Sequence, residues 1–302
     1  MRKTFPGYFS NDTRVLEDIW GRCIFVLDAS VLLNLYRYSD ETRSEIFEIF
    51  TLLRDRLWVP HQVASDYLTH RVNVISQQIK VYEDAIRLVE ELRRSFENPK
   101  QHPFVQDGTL KESSVAFDKI VSDLSINKKI YLQKINSDDV KNNLEILLDG
   151  RVGEGLRDEE VSDVLVTGEK RYLQRQPPGY KDANKISKSE VIADKLKPYG
   201  DYIVWRQTIS KAASEALPVI FVTGDRKDDW WTVHSGSLLE PHPLLVDEFV
   251  KEVGQPFFMY LPEKFMQRAN EFLERETSQT AIDEIKDIRA EELAGAIERS
   301  DN

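Results

Sequence analysis

Two short apolar runs of this chain each lead into an aspartate, and these two residues could do chemistry. The run "CIFVL" precedes Asp28, and the run "PVIFVTG" precedes Asp225. Both runs are too brief for a buried helix and rich in β-branched and aromatic residues, so each is predicted to form a buried strand. An ionised carboxylate beside a core is costly unless something compensates it. Both aspartates are therefore candidates for a cation site.

Other aspartates could reach the same place. Asp66 lies early on a long predicted helix, Asp201 opens a helix after "YG", and Asp182 lies in the loop before that helix. Asp229 follows the second strand closely. Two carboxylates near 4 Å repel by roughly 1 kcal/mol in water and by about 4 kcal/mol at an effective dielectric of 20, so a converging group must bind cations. All-oxygen ligands favour Mg²⁺ or Mn²⁺, which can activate water for phosphodiester hydrolysis.

A structural explanation remains open for several of these residues. Aspartate is a common helix N-cap, which would account for Asp66 and Asp201 without any chemistry, and Asp228 with Asp229 would suit a solvated turn. Asp28 and Asp225 are harder to explain in this way, because capping does not require them to end apolar runs.

The elements that must position these residues alternate between strand and helix. This order predicts an α/β fold with a parallel sheet, in which sites form at the carboxyl ends of the strands. Asp28 and Asp225 would then face each other. Ser30 is predicted to cap a helix over Val31–Tyr38, and Thr42 with Glu45 is predicted to form a capping box before the next helix.

The domain organisation follows from the long helical patterns in the middle and at the end of the chain. We predict a first part of the α/β domain, a helical insertion, a second part of the domain and an acidic helical tail, at 1–75, 76–165, 166–262 and 263–302.

Composition narrows the class of protein. The apolar fraction of 41% suffices for a core, and the formal charge of −11 argues against coating nucleic acid by bulk electrostatics. The segment 166–197 carries eight Lys or Arg against four Asp or Glu, which marks a candidate substrate track. With a single cysteine and no long apolar segment, the chain is expected to be cytoplasmic, without an internal disulfide or membrane span.

Polar and basic residues beside the acids are candidate substrate contacts. Ser30 and Asn34 are four apart and would share a helix face near Asp28. Four basic side chains flank the acids and could bind phosphates, namely those of Lys181, Lys185, Arg226 and Lys227. The alternative, which is equally good for each, is that the residue is a solvated charge in a loop.

Five ordered segments together resemble a PIN-like domain, which belongs to a nuclease superfamily, in its larger variety with a helical insertion. The resemblance covers about residues 5–275, and the segments are "VLDASVLLNLYRYS", "WVPHQVASDYLTHR", "PPGYKDANK", "YGDYIVWRQ" and "VIFVTGDRKDDWW". It implies a three-layer fold and cleavage of RNA or DNA by water activated by Mg²⁺ or Mn²⁺.

The resemblance also assigns roles by position. Asp28, Asp66, Asp201 and Asp225 occupy the catalytic positions, although a glutamate is usual at the place of Asp66. That departure shortens the side chain, so Asp66 is expected to act through water. The metal ligands implied are Asp28, Asp182, Asp201, Asp225 and Asp229.

The resulting interpretation is a metal-dependent nuclease, with an endoribonuclease favoured and a toxin or anti-phage defence role expected. A protein or second-copy partner is expected through the insertion or the tail. The alternative is a catalytically degenerate PIN-like protein that binds nucleic acid or regulates. A phosphatase with a nucleophilic strand-end aspartate fits less well, because that chemistry requires a second acid where Ser30 stands.

Overall fold

The computed structural model describes residues 1, 4–9, 13–98, 104–185 and 189–300. The strands are β1 (Ile24–Leu27), β2 (Leu57–Trp58), β3 (Val219–Val222), β4 (Trp231–His234), β5 (Ser237–Pro241) and β6 (Phe257–Tyr260). The helices are α1 (Thr13–Arg22), α2 (Ala29–Asn34), α3 (Asp40–Leu52), α4 (His61–Glu97), α5 (Asp107–Lys134), α6 (Asp139–Leu147), α7 (Asp158–Leu173), α8 (Ile192–Leu196), α9 (Gly200–Glu215), α10 (Pro243–Val253), α11 (Pro262–Phe272) and α12 (Gln279–Ser300).

Four parallel strands form the central sheet, in the order β2-β1-β3-β6. Leu27 pairs with Val222, and Val222 pairs with Tyr260, so the carboxyl ends of three strands lie at one edge. Every residue of β1 and β3 is buried, as expected for parallel strands covered on both faces. The predicted α/β fold with a central parallel sheet is confirmed.

Aromatic side chains on alternate strand positions fill the two faces of the sheet. Phe25 lies 5.0 Å from Trp20 of α1 and 5.7 Å from Phe265 of α11, measured between ring centroids. Phe257 points to the opposite face, 5.0 Å from Trp205 of α9. Because successive strand residues face opposite sides, these contacts identify three layers: helices, sheet and helices.

Two predicted helix starts are wrong by a few residues. Asp28, and not Ser30, is the N-cap of α2, and its side chain accepts a hydrogen bond from the N–H of Ala29. Likewise α3 begins before the proposed capping box, because the hydroxyl of Ser39 accepts from the N–H of Thr42. The earlier starts are favourable because each puts an acceptor or an acidic side chain at the positive end of the helix.

The antiparallel hairpin of β4 and β5 was not predicted. Its turn is Ser235–Gly236, both with positive φ, 49° and 79°. Such backbone angles suit a two-residue hairpin turn, in which glycine has no steric penalty. The Ser-Gly pair between two partly apolar runs is the sequence pattern from which this hairpin could have been predicted.

The chain divides by its internal contacts into two units, Met1–Tyr67 with Glu145–Asn302, and Leu68–Leu144. Within the second unit α4 and α5 run antiparallel, since Tyr82 contacts Tyr131 while the later Arg93 contacts the earlier Asp118. The sequence-based bounds of the insertion differ from this division, and the domain limits stay a prediction. In the described parts of the chain, no helix combines the length and apolarity needed to cross a membrane.

The acidic tail folds back onto its own unit. Ala281, Ile282 and Ile285 of α12 are buried, and Glu284 accepts hydrogen bonds from the backbone and hydroxyl of Ser39, the cap of α3. The negative carboxylate lies at the positive end of that helix, which favours the contact. The tail is therefore part of the α/β unit.

Candidate active site

The sheet register brings the two strand-end aspartates to one edge. Asp28 directly follows β1, and its N–H donates to the carbonyl of Val222, the last residue of β3. Asp225 lies three residues beyond that strand end. The carboxyl edge of the sheet therefore carries both residues that end apolar runs.

Three donors fix the carboxylate of Asp28. Oδ1 accepts from the N–H of Ala29 at 2.7 Å, while Oδ2 accepts from the hydroxyls of Ser30 at 2.6 Å and Thr223 at 2.7 Å. Burial raises the pKa of Asp28, the hydroxyl bonds oppose that shift, and the nearby charge of Asp201 adds to it. The side chain is thus held in one orientation at the site.

The hydroxyls of Thr223 and Ser30 also fasten the loop after β3. Thr223 Oγ1 accepts from the N–H of Asp225 at 3.0 Å, and Ser30 Oγ accepts from the N–H of Gly224 at 2.9 Å. Thr223 therefore links Asp28 to Asp225 through one hydroxyl. The sequence predicts Thr223 only as the end of a strand, so this role was missed.

The ammonium of Lys227 lies among three carboxylates. Its Nζ is 3.0 Å from Oδ2 of Asp225, 3.1 Å from Oδ2 of Asp201 and 3.5 Å from Oδ2 of Asp182. Burial disfavours the charge on Lys227, but the three carboxylates more than offset this and raise its pKa well above the usual value. The three acids, from three separate segments of the chain, thus converge on one positive charge.

Asp201 lies in the first turn of α9. Its Oδ2 accepts from Trp230 Nε1 at 3.4 Å, and Trp230 in turn stacks on Phe221 of β3 with ring centroids 5.1 Å apart. Burial raises the pKa of Asp201; Lys227 opposes that shift, and the charges of Asp225 and Asp182 reinforce it. Trp230 is thus a core aromatic whose polar edge reaches the site.

Asp229 is fully buried and holds the loop that carries Asp182. Its Oδ2 accepts from the N–H of Gly179 at 2.9 Å and of Lys181 at 3.3 Å. Its Oδ1 is buried and receives no hydrogen bond from the residues described. Burial raises the pKa of Asp229 to about 6, against the opposing charge of Lys227.

The loop before α9 reaches the acids because residue 179 has no side chain. Gly179 has a φ of +90°, and a Cβ there would lie 2.4 Å from the hydroxyl of Tyr172 and 3.1 Å from Cβ of Asp201. The short 3₁₀ helix Tyr180–Lys185 follows and carries Asp182. A glycine is therefore required where this loop passes Asp201.

Several predicted site residues have partners of their own. Lys185 pairs with Asp182 at 2.9 Å, whereas Lys181 pairs with the exposed Asp228 at 2.9 Å. Arg226 is half-buried in the loop after β3 and forms no ion pair within the described part of the chain. Of the four cations, Lys227 and Lys185 therefore contact the acid cluster directly.

Two other predicted residues form hydrogen bonds with side chains outside this acid group. Asp66 is half-buried on α4, and its Oδ1 accepts from Gln62 Nε2 at 2.9 Å. Asn34 is 1% exposed; its amide donates to Glu292 at 2.9 Å and accepts from Arg37 at 2.7 Å. A direct contact between Asn34 and a substrate would require these bonds to break.

The donor set suits a hard divalent ion, although an ammonium now lies at its centre. Over the described ranges, no three acidic, His or Cys side chains are arranged to hold a metal as they stand. The oxygens that converge on Lys227, together with the unbonded Oδ1 of Asp229, are nevertheless the ligand type that Mg²⁺ and Mn²⁺ prefer. The chemistry of the residues fits such an ion once the ammonium moves aside.

Comparison with known proteins supplies one positive result. The family model described as a PIN like domain matches residues 24–245, which include all the aspartates of the site. Neither the curated proteins nor the solved structures contain a significant match to the chain. PIN domains form a nuclease superfamily and indicate nucleic-acid binding. This match covers well over half of the chain, and the chain therefore belongs to the PIN-like domain family.

Proposed function

We propose that this chain is a nuclease that hydrolyses phosphodiester bonds with Mg²⁺ or Mn²⁺, with RNA preferred over DNA and internal cleavage preferred over cleavage from an end. The single observation that carries the proposal is the convergence of Asp182, Asp201 and Asp225 within 3.5 Å of one cationic atom. Membership of a nuclease superfamily supports it.

In the proposed reaction, the role of each residue would follow from its position in the site. Asp182, Asp201 and Asp225 would hold the ion, with Asp28 as a further ligand whose oxygens are already oriented by three donors. Asp229 would act chiefly by holding the loop of Asp182. When bound, a divalent ion lowers the pKa of water and offsets charge on a phosphate. From its position on α4, Asp66 would orient a water molecule.

The substrate would approach along the loops beside these acids. Arg226 is next to Asp225 in the loop after β3, so it is a candidate for a phosphate contact. Lys181 and Lys185 are exposed in the neighbouring loop and could exchange their carboxylate partners for phosphates. Ser30 would act indirectly, by fixing Asp28 and the N–H of Gly224.

The test is cleavage of labelled single-stranded RNA, structured RNA and DNA in Mg²⁺, Mn²⁺ or EDTA. We expect internal cleavage of RNA that requires the metal. Asp225→Asn should reduce the rate at least ~100-fold, because it removes one of the three converging carboxylates. Asp228→Asn is the matched control, since its exposed side chain pairs with Lys181 outside the cluster. Equal product from wild type and Asp225→Asn under all conditions would overturn the proposal.

A second candidate function is favoured by the same lysine. An ammonium that permanently neutralises the acids would leave a PIN-like domain that binds nucleic acid without cutting it. Binding of RNA with equal affinity in Mg²⁺ and in EDTA, without any cleavage, would support this alternative.

A toxin or defence role remains part of the proposal for the nuclease. We expect expression of the wild-type chain to slow growth of a host cell more than expression of Asp225→Asn at equal protein levels. Equal growth of the two cultures would count against this role.

A further inference from the structure

Lys227 lies at the point where the acid cluster would otherwise need an external cation. Its Nζ contacts carboxylates from the loop before α9, from α9 itself and from its own loop, at 3.5, 3.1 and 3.0 Å. By contrast Lys185 contacts one of these acids, and Lys181 contacts none of them. The central position therefore distinguishes Lys227 from the other lysines of the site.

An ammonium and a divalent ion cannot share this position. Mg²⁺ takes oxygen ligands at about 2.0–2.1 Å, so the three oxygens would have to close on a point that Nζ now occupies. Two positive centres within such a shell repel strongly. An ion bound by these three carboxylates therefore requires Lys227 to leave.

The lysine has a route by which it can leave. Its side chain is 35% exposed, so one side of it faces solvent. The Lys227 backbone is held separately, because its N–H donates to Oδ1 of Asp225 at 2.8 Å. The ammonium can thus swing outward on its flexible stem while the loop keeps its conformation.

We propose that Lys227 is a built-in counter-ion that competes with the divalent ion for Asp182, Asp201 and Asp225. Without metal it neutralises the acids; binding of the ion displaces it toward solvent, so the lysine sets the metal concentration at which the site fills. This inference rests on the proposed function, because it takes these acids as the metal ligands.

The test is isothermal titration of the full chain with Mn²⁺, comparing wild type with Lys227→Met, which keeps a similar length without the charge. We expect Lys227→Met to bind Mn²⁺ with a dissociation constant at least tenfold lower than that of wild type. Lys211→Met is the matched control, because the side chain of Lys211 is similarly exposed, at 30%, and pairs with Glu215 at the far end of α9 from Asp201. It should bind Mn²⁺ as wild type does.

A second measurement uses the wild-type chain and does not depend on the folding of a variant. An amine-reactive reagent is applied with and without saturating Mn²⁺, and labelling at each lysine is measured by mass spectrometry. Labelling of Lys227 should rise several-fold with Mn²⁺, while labelling of Lys181 stays constant. Unchanged or reduced labelling of Lys227 in the metal-bound protein would overturn the inference.

The outcomes separate this inference from the proposed function. If wild type binds Mn²⁺ and Lys227→Met binds it equally or more weakly, the competition is refuted while the metal site stands. If only Lys227→Met binds Mn²⁺, the lysine excludes the ion entirely, which supports the competition and contradicts a metal-dependent nuclease. If neither protein binds Mn²⁺, both ideas are refuted.

Discussion

Replacement of the fully buried Asp229 should change how the stability of the metal-free protein depends on pH. Burial raises the pKa of this carboxyl from its ordinary 3.8 to about 6. Between these values the folded chain binds more protons at Asp229 than the unfolded chain does, so stability falls as pH rises through this window. Asparagine does not titrate, so Asp229→Asn should lack this dependence.

The magnitude follows from the size of the shift. A difference of about two pH units, at about 1.4 kcal/mol per unit, makes the effect about 3 kcal/mol in all. Roughly 1.4 kcal/mol of it should develop between about pH 7.5 and pH 5, because that range spans the raised pKa. The amide oxygen of the Asp229→Asn variant can still accept from the N–H groups of Gly179 and Lys181, so the loop contacts remain.

The assay is urea unfolding in EDTA at several pH values between about 5 and 7.5, the window over which the group titrates. The free energy of unfolding of wild type should rise relative to that of Asp229→Asn as the pH falls. Asp228→Asn is the control, because the neighbouring side chain is exposed and pairs with Lys181. Parallel curves for wild type and Asp229→Asn, or a relative loss of wild-type stability at low pH, would refute the reasoning.

Two further changes probe the supports of the site. Thr223→Val should lower the free energy of unfolding by about 1–3 kcal/mol relative to Thr223→Ser. The valine lacks the hydroxyl that bonds Asp28, and it leaves the N–H of Asp225 without this acceptor. Equal urea midpoints for the two variants would contradict this. Glu284→Ala should cost about 1–2 kcal/mol and speed proteolysis of the tail, because Glu284 accepts from the cap of α3, and the argument would be wrong if the exposed neighbour Asp283→Ala had the same effect.

The sheet and its two strand-end aspartates were predictable because burial on both faces leaves an uninterrupted apolar run. Such a run in "CIFVL" and "VIFV" has few alternative structures at that length. A carboxylate directly after it must lie at the sheet edge, so Asp28 could be placed from the chain alone. The argument places Asp225 less closely, because Thr223 and Gly224 separate it from the end of β3.

The turn after β3 could not be predicted in the same detail. Asp228 and Asp229 are identical in type and adjacent, yet one is exposed and the other fully buried. The turn conformation decides this, through hydrogen bonds from the N–H groups of Trp230 and Trp231 to the carbonyl of Lys227. The same turn directs Lys227 inward, toward the acids, whereas its charge alone suggested a phosphate contact.

Helix starts were missed where two residues compete for one cap. Ser30 and Asp28 are both good N-caps by type. The choice of Asp28 depends on the end of β1, whose backbone delivers that residue in an extended conformation to the first turn of α2. The hydroxyl of Ser30 instead accepts a hydrogen bond from the N–H of Gly224, 194 positions away. No local sequence pattern reveals a contact over that distance.

The hydroxyl bridge between the strand-end aspartates also bears on the order of synthesis. Asp28 and Thr223 are 195 positions apart, and Asn34 meets Glu292 across 258 positions. A nascent chain on the ribosome therefore carries Asp28 long before Thr223, which helps to orient it, has been synthesised. Whatever this centre does, it can therefore begin only after the segment that carries Thr223 has been synthesised and has folded against β1.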